Sequence, residues 1–195
     1  MTENKLFPIF VKLDQIQTLL VGAGNVGLEK LQGLLKNDEC ANIKIVAPEA
    51  LPEIVELIEA HETVEWHQRE VVADDLDGID MVILATNNRA INAELKSWAK
   101  ARHLLTNVAD TPDLCDFYLG STVKRGNLKL GISTNGMSPT FSKQFRKVME
   151  ETLPEETDEL LNNLRSIRNK LSGDFSEKVK KLNELTKTLI ENDKE

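Results

Sequence analysis

Leu19-Leu20-Val21-Gly22-Ala23-Gly24-Asn25-Val26-Gly27-Leu28-Glu29-Lys30 is the stretch that decides the fold. An apolar run ends in glycines and a helix-period pattern begins, so it reads as strand, tight turn and helix. Gly22, Gly24 and Gly27 fit the spacing G-x-G-x-x-G. The first permits the turn, the second lets a pyrophosphate approach the backbone, and the third lets the helix pack on the strand. The free N–H groups and positive dipole end of that helix then face the phosphates. A glycine-rich strand-to-helix turn can also serve packing alone, so the surrounding pattern has to decide.

Working outward, Gln17–Val21 is a buried strand and Asn25–Leu35 a helix whose apolar face is Val26, Leu28, Leu31, Leu34 and Leu35. Asn42–Ala47 reads as a second strand ended by Pro48, and a helical segment follows through Ile54, Val55, Leu57 and Ile58. Thr63–His67, Asp80–Ala85 and Leu104–Val108 are further strands, with a helix over Ile91–Ala101. Leu6–Val11 is an extended lead-in that Pro8 confines to an edge. Strands alternating with helices predict a Rossmann-type, doubly wound parallel sheet, an α/β fold. After Asp110 the rhythm changes. Phe117–Lys124 and Leu128–Ser133 form a strand pair, Ser138-Pro139 starts a helix with apolar Phe141, Phe145, Val148 and Met149, and two amphipathic helices follow Pro154. Gly173 separates those two helices. Leu160, Leu164, Ile167 and Leu171 line the first, Phe175, Val179, Leu182 and Leu189 the second, and residues 191–195 are expected to be disordered. The expected organisation is a nucleotide-binding domain over 1–113, a strand-pair region over 114–140 and a helical domain over 141–195.

Composition narrows the function classes. A chain of 195 residues with 41% hydrophobic content buries a real core. A net charge of −8 argues against nucleic-acid binding over the whole surface. Cys40 and Cys115 are too few for a disulfide framework, follow no metal-ligand spacing and read as small buried residues. With no membrane-length apolar run and no leader, the expectation is a cytoplasmic protein that binds neither membrane nor a resident metal.

The end of the second strand selects the nucleotide. A carboxylate there accepts the ribose 2′-hydroxyl of NAD, whereas an Arg suits a 2′-phosphate. Ala47-Pro48-Glu49 supplies an acid and no adjacent cation, which favours NAD, although Glu49 could equally be a solvated acid opening the next helix. Thr86-Asn87-Asn88 forms a polar rim after the fourth strand, either a ligand edge or the cap of the following helix.

Taken in order, Leu6-Phe7-Pro8-Ile9-Phe10, the Val21–Lys30 fingerprint, Val46-Ala47-Pro48-Glu49, Ala85-Thr86-Asn87, Asn107-Val108-Ala109-Asp110, Leu114-Cys115-Asp116-Phe117 and Ile132-Ser133-Thr134-Asn135-Gly136-Met137-Ser138-Pro139 resemble the precorrin-2 dehydrogenase family, also the amino-terminal module of siroheme synthases. The resemblance covers roughly Leu6 to Leu153. It implies an NAD-binding domain, a central region that pairs with a second copy to make a homodimer, and oxidation of precorrin-2 to sirohydrochlorin with hydride passed to NAD. Asp110 matches the family's essential aspartate, placed to take a proton or to hold the macrocycle; read without the resemblance, it caps the turn at Thr111-Pro112. Asn25, Val26, Pro48 and Glu49 match cofactor-touching positions, and Ser133 and Thr134 match a hydroxyl-rich loop near the substrate; read without the resemblance, Ser133 and Thr134 could simply end a strand.

The substrate's carboxylates call for cations, with Arg89, Lys124, Arg125, Lys143 and Arg146 as candidates, though most surface cations are merely solvated. Asn135 stands where glycine is common, and Gly120-Ser121 where a proline-containing pair is usual. Two alternatives accompany the dehydrogenase. Some relatives also insert ferrous iron into sirohydrochlorin, and a non-catalytic NAD-binding sensor would need neither Asp110 nor the Ser133–Pro139 loop.

Overall fold

The computed structural model describes residues 3–171 and 175–187. Gly173, Leu189, the side chains of Phe175 and Leu182, and the tail 191–195, all assigned roles from the sequence, lie outside the described residues. The chain divides into two compact units, one ending at Leu119 and one beginning at Gly120.

The first unit is a five-stranded parallel sheet built from β1 (Gln17–Ala23), β2 (Asn42–Ala50), β3 (Val64–His67), β4 (Met81–Leu84) and β5 (Leu105–Val108), in the order β3-β2-β1-β4-β5. Three helices complete it: α1 (Asn25–Asn37), α2 (Pro52–Ala60) and α3 (Arg89–Ala101). The expected Rossmann-type sheet is therefore present. Right-handed crossovers dictate which face each helix covers, because the chain runs one way from β1 to β3 and the other way from β4 to β5. The side chains sort accordingly. Leu20, Ile43, Ile45 and Ile83 join Leu31, Leu34 and Leu35 of α1 and Ile54 of α2 in one core, while Leu19, Val21, Val46, Val82 and Leu84 join Leu95 and Ala99 of α3 in the other. Every residue of β4 is buried, as continuous apolar composition requires of a strand covered on both faces.

Several boundaries differ from the sequence reading. β2 does not stop at Pro48 but continues to Ala50, because the register jumps from Val21↔Val46 to Ala23↔Ala50. Pro48 sits in that bulge, where no ladder donor is needed. The Ala47 carbonyl at the bulge accepts the Trp66 indole N–H at 3.0 Å. Leu6–Val11 pairs with no strand and leaves Phe7 and Phe10 86% and 67% exposed. Cys40 is exposed, contrary to its expected burial, since it lies in the turn after α1, where its N–H donates to Asp38 Oδ1 at 3.0 Å.

Between β3 and β4, where the sequence reading placed no element, a single 3-10 turn (Ala73–Leu76) buries Asp75 to 2% exposure. Its carboxylate accepts both terminal nitrogens of Arg69 at 2.6 and 2.7 Å, Lys44 Nζ of β2 at 2.8 Å and the Val72 N–H at 2.9 Å. This ties the crossover to the sheet.

In the second unit, β6 (Ser121–Arg125) and β7 (Leu128–Ile132) are antiparallel, followed by α4 (Pro139–Thr152), α5 (Thr157–Lys170) and α6 (Phe175–Thr186). The first strand begins at Ser121, not Phe117, leaving Tyr118 and Leu119 exposed. Ser138 caps α4 by accepting the Phe141 N–H at 3.1 Å, with Pro139 in the first turn. Asp158 in the first turn of α5 clasps the hairpin, accepting the Asn127 N–H at 2.7 Å and its side-chain amide at 2.8 Å. Of the apolar face read on α4, Met149 is half-buried among the described residues. Phe141 and Phe145 stack with centroids 5.9 Å apart, and both remain exposed with Val148.

The three fingerprint glycines are used differently. Gly22 has φ +98°, and a Cβ on it would lie 2.6 Å from the Ala85 carbonyl oxygen of the neighbouring strand end. A Cβ on Gly27 would lie 2.2 Å from the Gly22 oxygen, whereas one on Gly24 would meet nothing within 4 Å. We therefore expect Gly27→Ala to lose much of the stability of the first unit, since backbone cannot yield as a side chain can, and Gly24→Ala to melt within a few degrees of the parent. Parallel thermal melts check the contrast.

Arg69 above all, then Lys44 and the Val72 N–H, hold the Asp75 carboxyl below the usual carboxylate range against the opposing effect of burial. A carboxyl depressed in the folded state stabilises above its unfolded pKa, and this contribution is lost as pH falls below about 4. Asp75→Asn should cost on the order of 2 to 3 kcal/mol at neutral pH and flatten that part of the acid dependence. Urea titrations of both proteins at pH 7 and pH 3.5 measure it.

Candidate functional site

The sheet order places a topological switch at the β1/β4 boundary, where crossovers leave in opposite directions and a crevice opens beyond the strand ends. A cavity lies there. Val26 of α1, the post-β4 residues Ala85, Thr86 and Asn87, Arg89 and Asn92 of α3, and the post-β5 run from Ala109 to Asp113 line it. At its β1 end, α1 begins at Asn25 with Gly24 as N-cap and no side chain capping the first turn. Its leading N–H groups and dipole are thus available to an anion. The open space over Gly24 is what a pyrophosphate needs, and Gly22 and Gly27 allow the tight turn and close helix that present it. The residues present fit a dinucleotide.

The other expected cofactor positions are distributed as follows. Asn25 is exposed at the helix start, and Pro48 and Glu49 are exposed in the β2 bulge next to the glycine turn. Glu49 belongs to the strand end and does not open α2, whose N-cap is Leu51. In the Thr86-Asn87-Asn88 rim, Asn88 is the cap of α3, its Oδ1 accepting the N–H groups of Ala90 and Ile91 at 3.0 and 3.2 Å. The Thr86 hydroxyl donates to Asn92 Oδ1 at 2.6 Å, and Asn92 Nδ2 donates back to the Thr86 carbonyl at 3.1 Å. Asn92, buried and unassigned from the sequence, therefore fixes this wall. Asn87 and Arg89 remain exposed.

Asp110 stands across the cavity in the left-handed region, φ +55°. It is not a cap. Thr111 precedes the following 3-10 turn (Pro112–Leu114), no side chain caps that turn, and the Asp110 carboxylate has no hydrogen bond or ion pair among the described residues. Asp110 thus brings an exposed carboxylate to the cavity wall from a left-handed turn that few non-glycine residues adopt.

Behind Asp110 the chain doubles back along β5. The Asp116 N–H donates to the Thr106 carbonyl at 2.8 Å, and Asp116 Oδ2 accepts the Thr106 N–H at 2.9 Å as well as the Lys96 ammonium. Buried Asn107 donates to the Phe117 carbonyl at 2.8 Å. The half-buried Cys115 thiol sits among polar groups of Asn107, Val108 and Thr111, so it is more than an apolar filler. Sequence reading missed these supporting roles. The only signal was the recurrence of Asn107 and Cys115-Asp116 beside Asp110 at short spacing.

The remaining candidates lie in the second unit. Asn135-Gly136, with φ +54° and +75°, form the turn closed by the Met137 N–H on the Thr134 carbonyl at 3.0 Å. That left-handed geometry is why glycine suits position 135, and asparagine is the side chain that tolerates it best. The Thr134 hydroxyl accepts the Ser138 N–H at 3.2 Å and meets Ser142 Oγ at 3.3 Å, while Ser133 Oγ accepts the Asn135 N–H at 3.2 Å. Arg125 donates to the Glu150 carbonyl and Arg146 to the Glu150 carboxylate at 2.6 Å, so both are engaged within the chain. Lys124 and Lys143 are exposed without an ion pair among the described residues. No three His, Cys, Asp or Glu side chains gather as around a metal among the described residues, and no helix there is long and apolar enough to cross a membrane.

Comparison with known proteins bears on this arrangement. A family model described as "Putative NAD(P)-binding" matches residues 9–121, and one described as "Sirohaem biosynthesis protein central" matches residues 125–152. Siroheme synthase of Methylococcus capsulatus is 35% identical over 147 residues, 75% of this chain and 30% of the relative. That of Photorhabdus laumondii is 35% identical over 173 residues, 89% of this chain and 34% of the relative. The chain thus spans about a third of the length of these curated relatives. The solved structure of SirC, a precorrin-2 dehydrogenase, superimposes with a TM-score of 0.75 at 26% identity, covering 96% of this chain and 93% of that one. With more than half of its residues under the NAD(P)-binding model, the chain belongs to the siroheme synthase and precorrin-2 dehydrogenase family.

Proposed function

We propose that the protein is an NAD-dependent dehydrogenase that oxidises precorrin-2 to sirohydrochlorin, acting in the cytoplasm as a homodimer. The observation that carries this reading is Asp110: an exposed carboxylate without a partner among the described residues, presented in a left-handed turn on the wall of the switch-point cavity. The name of the SirC relative supports the substrate, and the NAD(P)-binding match supports the cofactor. NAD, when bound, supplies the hydride acceptor. Gly22, Gly24, Gly27 and the first turn of α1 hold its pyrophosphate, with Asn25 and Val26 alongside. Pro48 and Glu49 meet its ribose, Glu49 accepting the 2′-hydroxyl, and Thr86 and Asn87 border the nicotinamide side.

Removing two hydrogens from a reduced tetrapyrrole separates a hydride from a proton. The Asp110 carboxylate takes the proton as general base, a task that suits a carboxylate free of partners among the described residues. Arg89 stands on the same cavity wall as a cation for a substrate carboxylate. Of the four cations proposed in the second unit, Lys124 and Lys143 have no ion pair among the described residues, whereas Arg125 and Arg146 are committed to Glu150. The exposed Phe141, Phe145 and Val148 of α4 support a second copy as their cover, and sedimentation at micromolar concentration should return about twice the chain mass.

Anaerobic incubation with precorrin-2 and NAD is expected to give one NADH per sirohydrochlorin, and more slowly with NADP. Asp110→Ala and Asp110→Asn should each lower turnover on the order of 10²- to 10⁴-fold while binding NAD as the parent does. Wild-type turnover by Asp110→Asn would reject proton transfer to the carboxylate. NAD binding with no NADH from the parent would favour a sensor, and ferrous iron entering sirohydrochlorin faster than in the protein-free control would add a chelatase activity.

A further inference from the structure

We infer that Asn107 and Cys115 form a clasp that positions Asp110, making both of them positioning residues for the reaction proposed above, on which this inference rests. The loop from Thr106 to Asp116 is closed at its base by the two hydrogen bonds between those residues. Inside it, β5 ends at Val108, and a turn closed by the Thr111 N–H on the Val108 carbonyl at 3.3 Å carries Ala109 and Asp110 at its tip. Cys115 Sγ reaches both ends of that turn. It accepts the Val108 N–H at 3.2 Å and lies 3.2 Å from the Val108 oxygen and 3.5 Å from the Thr111 oxygen. One thiol proton serves one of those carbonyls at a time, while the large sulfur keeps contact with the other.

Asn107 completes the arrangement. Its Nδ2 donates to the Phe117 carbonyl at 2.8 Å and lies 3.7 Å from Sγ, so the returning strand cannot slide without moving the thiol. Asn107 is 6% exposed, and the contacts use most of its donor capacity. Neither Asn107 nor Cys115 lines the cavity that Asp110 enters. Any effect of these side chains on the reaction must therefore pass through the turn they hold. Asp110 needs such support, because a left-handed aspartate relaxes to a commoner conformation when the ends of its turn are released. That relaxation would swing the carboxylate away from the cavity wall, and displacement by about 1 Å can cost as much as 10²-fold in rate.

The test is a mutant cycle in the full-length protein with Cys115→Ala, Asp110→Ala and the double variant, using the precorrin-2 and NAD assay. Cys115→Ala should lower kcat by roughly 10- to 100-fold and leave KM for NAD within about twofold. The double variant should be no slower than Asp110→Ala alone, because the clasp acts only through the aspartate. Cys115→Ser, which keeps a donor and an acceptor at shorter reach, should recover part of the loss, and it replaces the alanine variant in the cycle should that one fail to fold. Amide exchange supplies the second readout: Val108 and Thr111 should exchange faster in Cys115→Ala while β1 and β4 remain as protected as in the parent. Losses that multiply in the double variant, or unchanged turnover with unchanged exchange at Val108 and Thr111, would overturn the clasp. Absence of NADH from the parent would instead reject the dehydrogenase reading, and the exchange comparison would still decide whether Cys115 holds the turn.

Discussion

The close approach of α1 to β1 at Gly27 and Gly22 is the constraint on which the first unit depends. With a Cβ at position 27 only 2.2 Å from the Gly22 oxygen, nothing larger than glycine lets the helix start so near the strand end. That proximity aims the leading N–H groups of α1 into the crevice beyond the sheet instead of over its face. It also seats Leu31, Leu34 and Leu35 on Leu20 and Ile45, so one backbone contact sets both the cofactor end and one of the two cores. Gly22 is hemmed in a second time, by the Ala85 carbonyl, where a Cβ would lie only 2.6 Å away, and the end of β4 thus stands level with the glycine turn. The Thr86-Asn87 rim follows directly from that register.

From this anchor, the direction of the crossovers sets the rest of the crevice. Because β4 returns to the far side of β1, the loops after β1 and β4 diverge, and the loop after β5 forms the remaining wall. The crossover into β4 has only one short turn with which to span the sheet. Burial of Asp75 against Arg69 and Lys44 replaces the helix that usually makes such a connection, at the cost of placing a charge where apolar packing would normally stand.

Much of this was legible in the sequence because it rests on local rules. Continuous apolar runs located β1 and β4, period-3.6 patterns located α1 and α3, and the glycine spacing implied its own geometry. What was not legible depends on partners distant in the chain or on unusual backbone. The continuation of β2 through Pro48 required a bulge set by pairing with β1, and the burial of Asp75 depends on Lys44 of the sheet, some thirty residues earlier, as well as on nearby Arg69. The apolar stripe of α4 was read correctly as a stripe, but periodicity cannot tell burial within a chain from burial against another molecule. The cation candidates show the same limit: Arg125 and Arg146 look like Lys124 and Lys143 until Glu150 is seen to occupy them.

Asp110 illustrates why a candidate site residue is harder to read than a core residue. By local rules it should cap the turn at Thr111-Pro112, and that would satisfy both its carboxylate and the turn. The chain instead places it at φ +55° with its carboxylate unused, while Asn107, Cys115 and Asp116 supply the hydrogen bonds that close the loop. The division of labour is physical. A carboxylate engaged in holding its own turn has weaker basicity and less freedom to meet a substrate, so the holding has to be done by neighbours. A thiol suits that task because it makes several weak, adaptable contacts in a half-buried space without introducing another charge beside the aspartate. The local rule fails at Asp110, whose carboxylate is left without a partner among the described residues, and the neighbours that close its loop are ones that the sequence offers as unremarkable.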